Sequence, residues 1–266
     1  MKRYDLLIVD PQNDFMDIAG AALPVPGATA DMERLARWLA VAYAQVDHVI
    51  VTLDSHANVG IERTSFWLDE WGSALAPFTV VRAADVRCGR FSTRYAQWQA
   101  QALSYLDALE ASGRYHLIVW PVHCVTATWG HCIYTPLAQA IARWEMETGR
   151  TCTKVLKGLH PLTEQYSVFR AEVPRGDDVA TQLNQKLMRQ LGNGDGELLV
   201  AGEAQSHCVA ASVQDIMSQL QPTRLAQTIL LEDCMSPVTG FELDASRFME
   251  RARSAGLQVL RIDSLD

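Results

Sequence analysis

The sequence has no long apolar run, no Cys-x-x-Cys pair, no glycine-rich phosphate loop and no excess of positive charge. Each absence excludes something. A bilayer-spanning helix needs about 18 consecutive apolar residues, and no run approaches that length. Residues 1–10 hold only Leu6-Leu7-Ile8-Val9 as an apolar stretch, too short for the core of a secretory signal. The six cysteines (Cys88, Cys124, Cys132, Cys152, Cys208, Cys234) are widely scattered. They read as free thiols in a reducing compartment, so the expected location is the cytoplasm. Lys and Arg number 23 against 31 Asp and Glu, a net charge of -8. That balance offers no basic face to nucleic acid. Neither a membrane nor a polyanion is an expected partner.

The 266 residues are 48% hydrophobic and 20% charged, an ordinary globular composition. A domain of this size buries roughly 70–75% of its unfolded surface, so it needs no disulfide or metal staple. Short, almost continuous apolar runs recur at 5–9, 48–53, 115–120, 152–156, 197–201 and 228–232, with a seventh candidate at 258–262. Continuous rather than alternating runs mark strands buried on both faces, hence a parallel sheet. Helical spacing fills 29–46, 92–111, 136–148, 178–191, 207–219 and 244–255. Alternation of the two predicts an α/β fold: a three-layer α/β/α sandwich around a mostly parallel six-stranded sheet. The expectation is a single domain over 1–266, with an irregular insertion at about 57–90.

In open parallel sheets, ligands bind at the carboxyl ends of the strands. Asp10 follows the first run, and Asp54 and His56 follow the second. His123 and Cys124 follow the third, Lys157 the fourth, and Gly202 to Cys208 the fifth. Acids, histidines, a lysine and a cysteine thus gather at one sheet edge. Cys208 falls where a loop turns into a helix, and helix N-terminal amides lower a thiol's pKa and can hold an oxyanion. Asp10 is placed to act as a base toward that thiol, unless it only caps a turn. Lys157 could supply a fixed positive charge, or be a solvated surface residue. Asp54 and His56, with His123 as a third ligand, describe an open metal site.

These pieces together resemble the isochorismatase-like cysteine hydrolases, and within them the nicotinamidase branch. Asp10-Pro11-Gln12-Asn13-Asp14-Phe15 resembles the family's opening motif, and Leu23-Pro24-Val25 the segment after it. Thr52-Leu53-Asp54-Ser55-His56 resembles its metal-binding strand end. Trp120-Pro121-Val122-His123-Cys124-Val125 is the most specific match. Lys157-Gly158 followed by Tyr166-Ser167-Val168-Phe169 resembles the lysine segment, and Gly202-Glu203-Ala204 with His207-Cys208-Val209 the nucleophile loop.

The resemblance implies a catalytic triad of Asp10, Lys157 and Cys208 and metal ligands Asp54, His56 and His123. The metal would be divalent: zinc, or else iron or manganese. It implies an oxyanion hole from the backbone N–H groups of Ala204 and Cys208, with a cis peptide between Glu203 and Ala204. Phe15 and Trp120 would flank the substrate ring. The implied activity is cleavage of a small carboxamide, nicotinamide first, to acid and ammonia through a thioester, by a homo-oligomer. The alternatives are a sibling hydrolase of a carbamoyl or ureido compound, or a non-catalytic binding or redox module with a reactive cysteine. Three departures stand out. Glu203 replaces a usual aliphatic residue, Gln205-Ser206 replaces the usual pair, and residues 57–66 lack a further histidine. Glu203 and the 57–90 segment are the places expected to reshape the pocket.

Overall fold

A computed structural model describes residues 2–265, so the expected domain bounds at 1 and 266 fall just outside the described residues. The strands are β1 (Tyr4–Val9), β2 (Val46–Asp54), β3 (Trp67–Asp69), β4 (Val80–Val81), β5 (Phe91–Thr93), β6 (Leu117–Ile118), β7 (Thr153–Lys157), β8 (Glu197–Gly202), β9 (Thr228–Leu231) and β10 (Gln258–Leu260). Six of them form the central sheet, in the order β10-β9-β8-β1-β2-β7. All of its pairings are parallel. β1 is buried along its whole length, which is why it carries no polar alternation.

The helices are α1 (Ala28–Ala42), α2 (Ala83–Arg87), α3 (Gln99–Ser112), α4 (Thr135–Thr148), α5 (Gln185–Gly192), α6 (Ala210–Gln219), α7 (Pro222–Leu225) and α8 (Glu242–Ser254). α1 packs on α4, and α6 on α8. α1 turns Met32, Leu35, Ala36, Leu39 and Ala42 into the core, the stripe expected of an amphipathic helix. No described helix is long and apolar enough to cross a membrane. All six cysteines are free.

Several expectations need correction. The run at 115–120 is not a strand of the central sheet. Only Leu117–Ile118 is extended there, paired antiparallel with β4, while Trp120 bridges to Arg63. The sixth place in the sheet goes to the candidate at 258–262, seen as β10 beside β9. The 57–90 insertion is less irregular than expected. It contributes β3, β4 and α2, and its Ile61, Phe66, Trp67, Leu75, Val81 and Val86 share a second core with Tyr105, Leu106 and Leu109 of α3. Three helices start later than their periodicity suggests: 92–111 gives its first residues to β5 and opens as α3 only at Gln99, and polar caps divide 178–191. Asp178 accepts from the Ala180 amide and Asn184 from the Leu187 amide, so 178–191 splits into a short turn and α5. The helix expected at 207–219 opens with a wide turn, Gln205–Val209, before α6 begins.

Candidate active site

Four adjacent strands of the sheet, β8-β1-β2-β7, end at one place. Val9 pairs with Gly202, and Asp54 pairs with Lys157. The register therefore places Asp10, Asp54, Lys157 and the 202–208 loop side by side. β1 and β8 separate the strands that continue to either side, the position where α/β sheets open a crevice. Close approach is needed there. A Cβ on Gly202 would lie 2.0 Å from the Val9 carbonyl oxygen.

Lys157 is the hub. Its buried Nζ lies 3.0 Å from Asp10 Oδ2, 2.9 Å from Asp54 Oδ1, 3.0 Å from the Gln165 carbonyl and 3.5 Å from Cys208 Sγ. Asp10 is wholly buried. Its other oxygen accepts from the Thr52 hydroxyl at 2.5 Å. Burial pulls the Lys157 pKa down, but Asp10, Asp54 and Cys208 together carry it well above its usual range. Lys157 is therefore a buried ammonium, not a solvated surface residue.

The thiol behaves differently from the expectation for a helix start. Burial raises the Cys208 pKa well above its usual range, outweighing Lys157, and the carboxylates of Asp10 and Asp54 add to the rise. Resting Cys208 is a protonated thiol. Asp10 is raised too, first by burial, with Lys157 opposing and Asp54 adding. A buried acid with a raised pKa next to a thiol is suited to exchange a proton with it.

On the other side of Asp54 lie two histidines. Asp54 Oδ2 is 2.8 Å from His56 Nε2 and 3.2 Å from His123 Nε2. Each ring uses Nδ1 on a backbone carbonyl, Gly158 at 3.0 Å for His56 and Pro121 at 2.8 Å for His123. With both Nδ1 atoms donating, both Nε2 lone pairs converge on one carboxylate oxygen. The three ligand atoms lie within 4.8 Å of one another, and all three residues are buried. Such a donor set suits a divalent cation of the zinc, iron or manganese kind. Burial lowers the His123 pKa, and neutral imidazole is the ligating form. Burial also raises the Asp54 pKa, but His56, Lys157 and His123 reverse this and hold Asp54 ionised.

A cavity of about 30 Å³ is lined by Cys208, Asp54, His123, Phe15, Trp120 and Ala204, among others. Phe15 lies tilted against His123 at 5.4 Å, and Trp120 meets His207 edge-on at 5.0 Å. That volume holds about one or two waters. Tyr166 and His207 also line a larger outer pocket, about 680 Å³, which contains none of Asp10, Lys157 or Cys208. The Glu203–Ala204 peptide bond is cis. The Ala204 N–H has no backbone acceptor among the described residues.

The structure thus brings together every residue expected from the sequence. It also separates two features expected to shape the pocket. Glu203 faces away from the cavity. Its Oε2 accepts from the Ser236 amide at 3.1 Å, and burial with Asp31 nearby raises its pKa well above the usual range. Residues 57–90 do not line the inner cavity. Other residues were missed. Glu164 lines the cavity, with its pKa raised well above normal by burial, Glu62 and Asp54. Gln165 supplies a carbonyl to Lys157. His207 forms the wall, and burial lowers its pKa to about 4. The one available signal was position, since Glu164 and Gln165 lie in the loop that follows Lys157-Gly158.

No protein-family model and no curated protein matches the sequence. Solved structures do match over nearly the whole chain. A yeast nicotinamidase is 20% identical with a TM-score of 0.66, covering 97% of this chain and 99% of its own. An Acinetobacter nicotinamidase and pyrazinamidase is 19% identical with a TM-score of 0.67, covering 100% and 99%. A zinc-bound pyrazinamidase of Pyrococcus horikoshii is 21% identical with a TM-score of 0.55, covering 97% and 99%. The chain therefore has the α/β fold of nicotinamidases and isochorismatase-like hydrolases.

Proposed function

We propose that the chain is a cysteine amidohydrolase that cleaves a small carboxamide to its acid and ammonia, with nicotinamide as the leading substrate. One observation carries this reading. The Cys208 sulfur lies 3.5 Å from the Lys157 ammonium. The same ammonium lies 3.0 Å from the Asp10 carboxylate. The sulfur also borders a cavity lined by Phe15 and Trp120. The nicotinamidases that share the fold support the choice of amide.

Asp10 takes the thiol proton as Sγ bonds to the amide carbon. Lys157 balances the charge on sulfur, so the buried thiol need not be ionised at rest. The backbone N–H groups of Ala204 and Cys208 receive the developing oxyanion, where one donor is typically worth about 10²–10³ in rate. Asp10 returns the proton to nitrogen, the C–N bond breaks, and ammonia leaves a thioester. Water attacks the thioester with Asp10 as base, the C–S bond breaks, and sulfur regains its proton. Phe15 and Trp120 hold the ring flat between them, which fixes the carbonyl against Sγ. Asp54, His56 and His123 would hold a divalent cation, zinc by preference, that when bound supplies a Lewis-acidic anchor for a ring nitrogen or a water.

The test is ammonia release from nicotinamide by the wild-type chain and by Cys208→Ala, with carbamoyl and ureido compounds as the comparison panel. Wild-type release abolished in the variant is the expected result. Undiminished release by Cys208→Ala refutes the thiol mechanism. Turnover confined to a carbamoyl or ureido compound replaces the substrate assignment.

A further inference from the structure

Residues 57–66 lack the extra histidine noted above, yet they place two charged residues in full burial beside the metal ligands. Glu62 and Arg63 are 2% and 0% exposed. Arg63 Nε donates to Glu62 Oε1 at 2.9 Å, so each neutralises the other. Glu62 Oε1 also lies 3.3 Å from His56 Nδ1, beside the Gly158 carbonyl that meets the same nitrogen at 3.0 Å and opposite the nitrogen that faces Asp54. Arg63 Nη2 donates to the main-chain carbonyl of His123 at 2.7 Å. One ion pair therefore touches both histidines, and neither contact uses an Nε2 atom.

The local backbone is built to hold this pair. A Cβ on Gly60 would lie 2.5 and 2.7 Å from the two Glu62 carboxylate oxygens. The Trp120 amide donates to the Glu62 carbonyl at 2.7 Å, and the Thr64 amide to the Trp120 carbonyl at 3.1 Å. The 60–64 segment is thus laced to the strand end that delivers His123.

We infer that Glu62 and Arg63 are positioning residues for the metal site, Glu62 orienting the His56 ring through Nδ1 and Arg63 fixing His123 through its carbonyl. The inference rests on the assignment of Asp54, His56 and His123 as ligands. A carboxylate on the far nitrogen of a ligating histidine fixes its tautomer and raises its basicity, and loss of such a partner typically costs 10–100-fold in metal affinity. Arg63 keeps Glu62 in this outer role. Its guanidinium occupies the carboxylate, and the carboxylate stands on the Nδ1 side, where it cannot share an ion held at Nε2.

The experiment uses the full chain, stripped and then titrated with zinc or cobalt against a competing chelator. Glu62→Gln preserves shape, and Arg63→Lys preserves charge. They disturb the pair from opposite ends, so misfolding of one leaves the other to decide. The expected result is metal binding weakened by about 10–100-fold in both variants, with the apo melting temperature lowered more by Glu62→Gln, which leaves Arg63 unpaired, than by the charge-preserving Arg63→Lys. The cobalt absorption spectrum at saturation should stay unchanged in shape. Wild-type affinity in both variants overturns the inference. A cobalt spectrum altered by Glu62→Gln also overturns it, because Glu62 is then a ligand itself. Absence of metal binding in the wild type refutes the ligand assignment and the inference with it.

Discussion

Asp54 and Lys157 are register partners on adjacent parallel strands, and their carboxylate and ammonium meet at 2.9 Å. The other oxygen of Asp54 faces His56 and His123, the two histidines proposed as metal ligands. One aspartate therefore joins the thiol side of the site to the metal side.

Lys157→Met tests the pair's place in the fold. It leaves Asp10 and Asp54 buried with no ammonium between them. Removing one partner of a buried ion pair typically costs about 3–5 kcal/mol. Urea unfolding should show a loss of that order, together with loss of turnover. Wild-type stability would mean that the two carboxylates find another counter-charge.

Gly158→Ala should damage the metal side while leaving Cys208 in place. Gly158 has φ +75, and a Cβ there would lie 2.7 Å from His56 Cε1 and 3.0 Å from Asp54 Oδ1. The ring must move off its position. Metal content of the purified variant, measured by elemental analysis, should fall well below that of the wild type. Equal content would show that His56 does not hold the ion.

His207 gives the fold an acid-sensitive element. Its pKa falls to about 4 because of burial, below the ordinary value near 6.5. The unfolded chain therefore takes up this proton before the folded chain does. The stability involved is fully present above about pH 6.5 and is lost as the pH falls toward 4, to a total of about 3 kcal/mol. Between pH 7 and 4.5, His207→Phe should lose about 2 to 3 kcal/mol less than the wild type. Parallel pH profiles would contradict this.

Glu203 has the opposite sign. Burial, with Asp31 beside it, raises its pKa, so the folded state prefers the protonated acid. The unfolded chain ionises near its ordinary value, and wild-type stability is drained as the pH rises above that point. Glu203→Gln cannot ionise and can still accept from the Ser236 amide. It should melt higher than the wild type at pH 8, with the gap narrowing toward pH 5. A gap that widens toward low pH would contradict the account.

Asp10, Asp54 and the Cys208 loop were legible because each follows a mostly apolar run, and such runs mark where a buried parallel strand stops, whereas Lys157 ends a largely exposed edge strand and was legible from its place in the strand order and its motif. His123 was legible from its motif although its strand was misplaced. The 115–120 run is apolar enough for the central sheet, but Trp120 is claimed by Glu62 and Thr64 of the insertion. Nothing periodic announces Glu62, Arg63 or Glu164. Their partners are distant in sequence, and burial alone gives them meaning. The acidity of Cys208 was misjudged for the same reason. A helix start favours a thiolate, but here Cys208 is buried, and burial with Asp10 and Asp54 nearby raises its pKa despite Lys157.

The most direct measurement of the central claim is peptide mass mapping of enzyme quenched with acid during turnover of nicotinamide. The account predicts a nicotinoyl thioester on the peptide that contains Cys208, absent from Cys208→Ala. Continued ammonia release with no acyl group on any cysteine, or with the group on Cys124 instead, would contradict it.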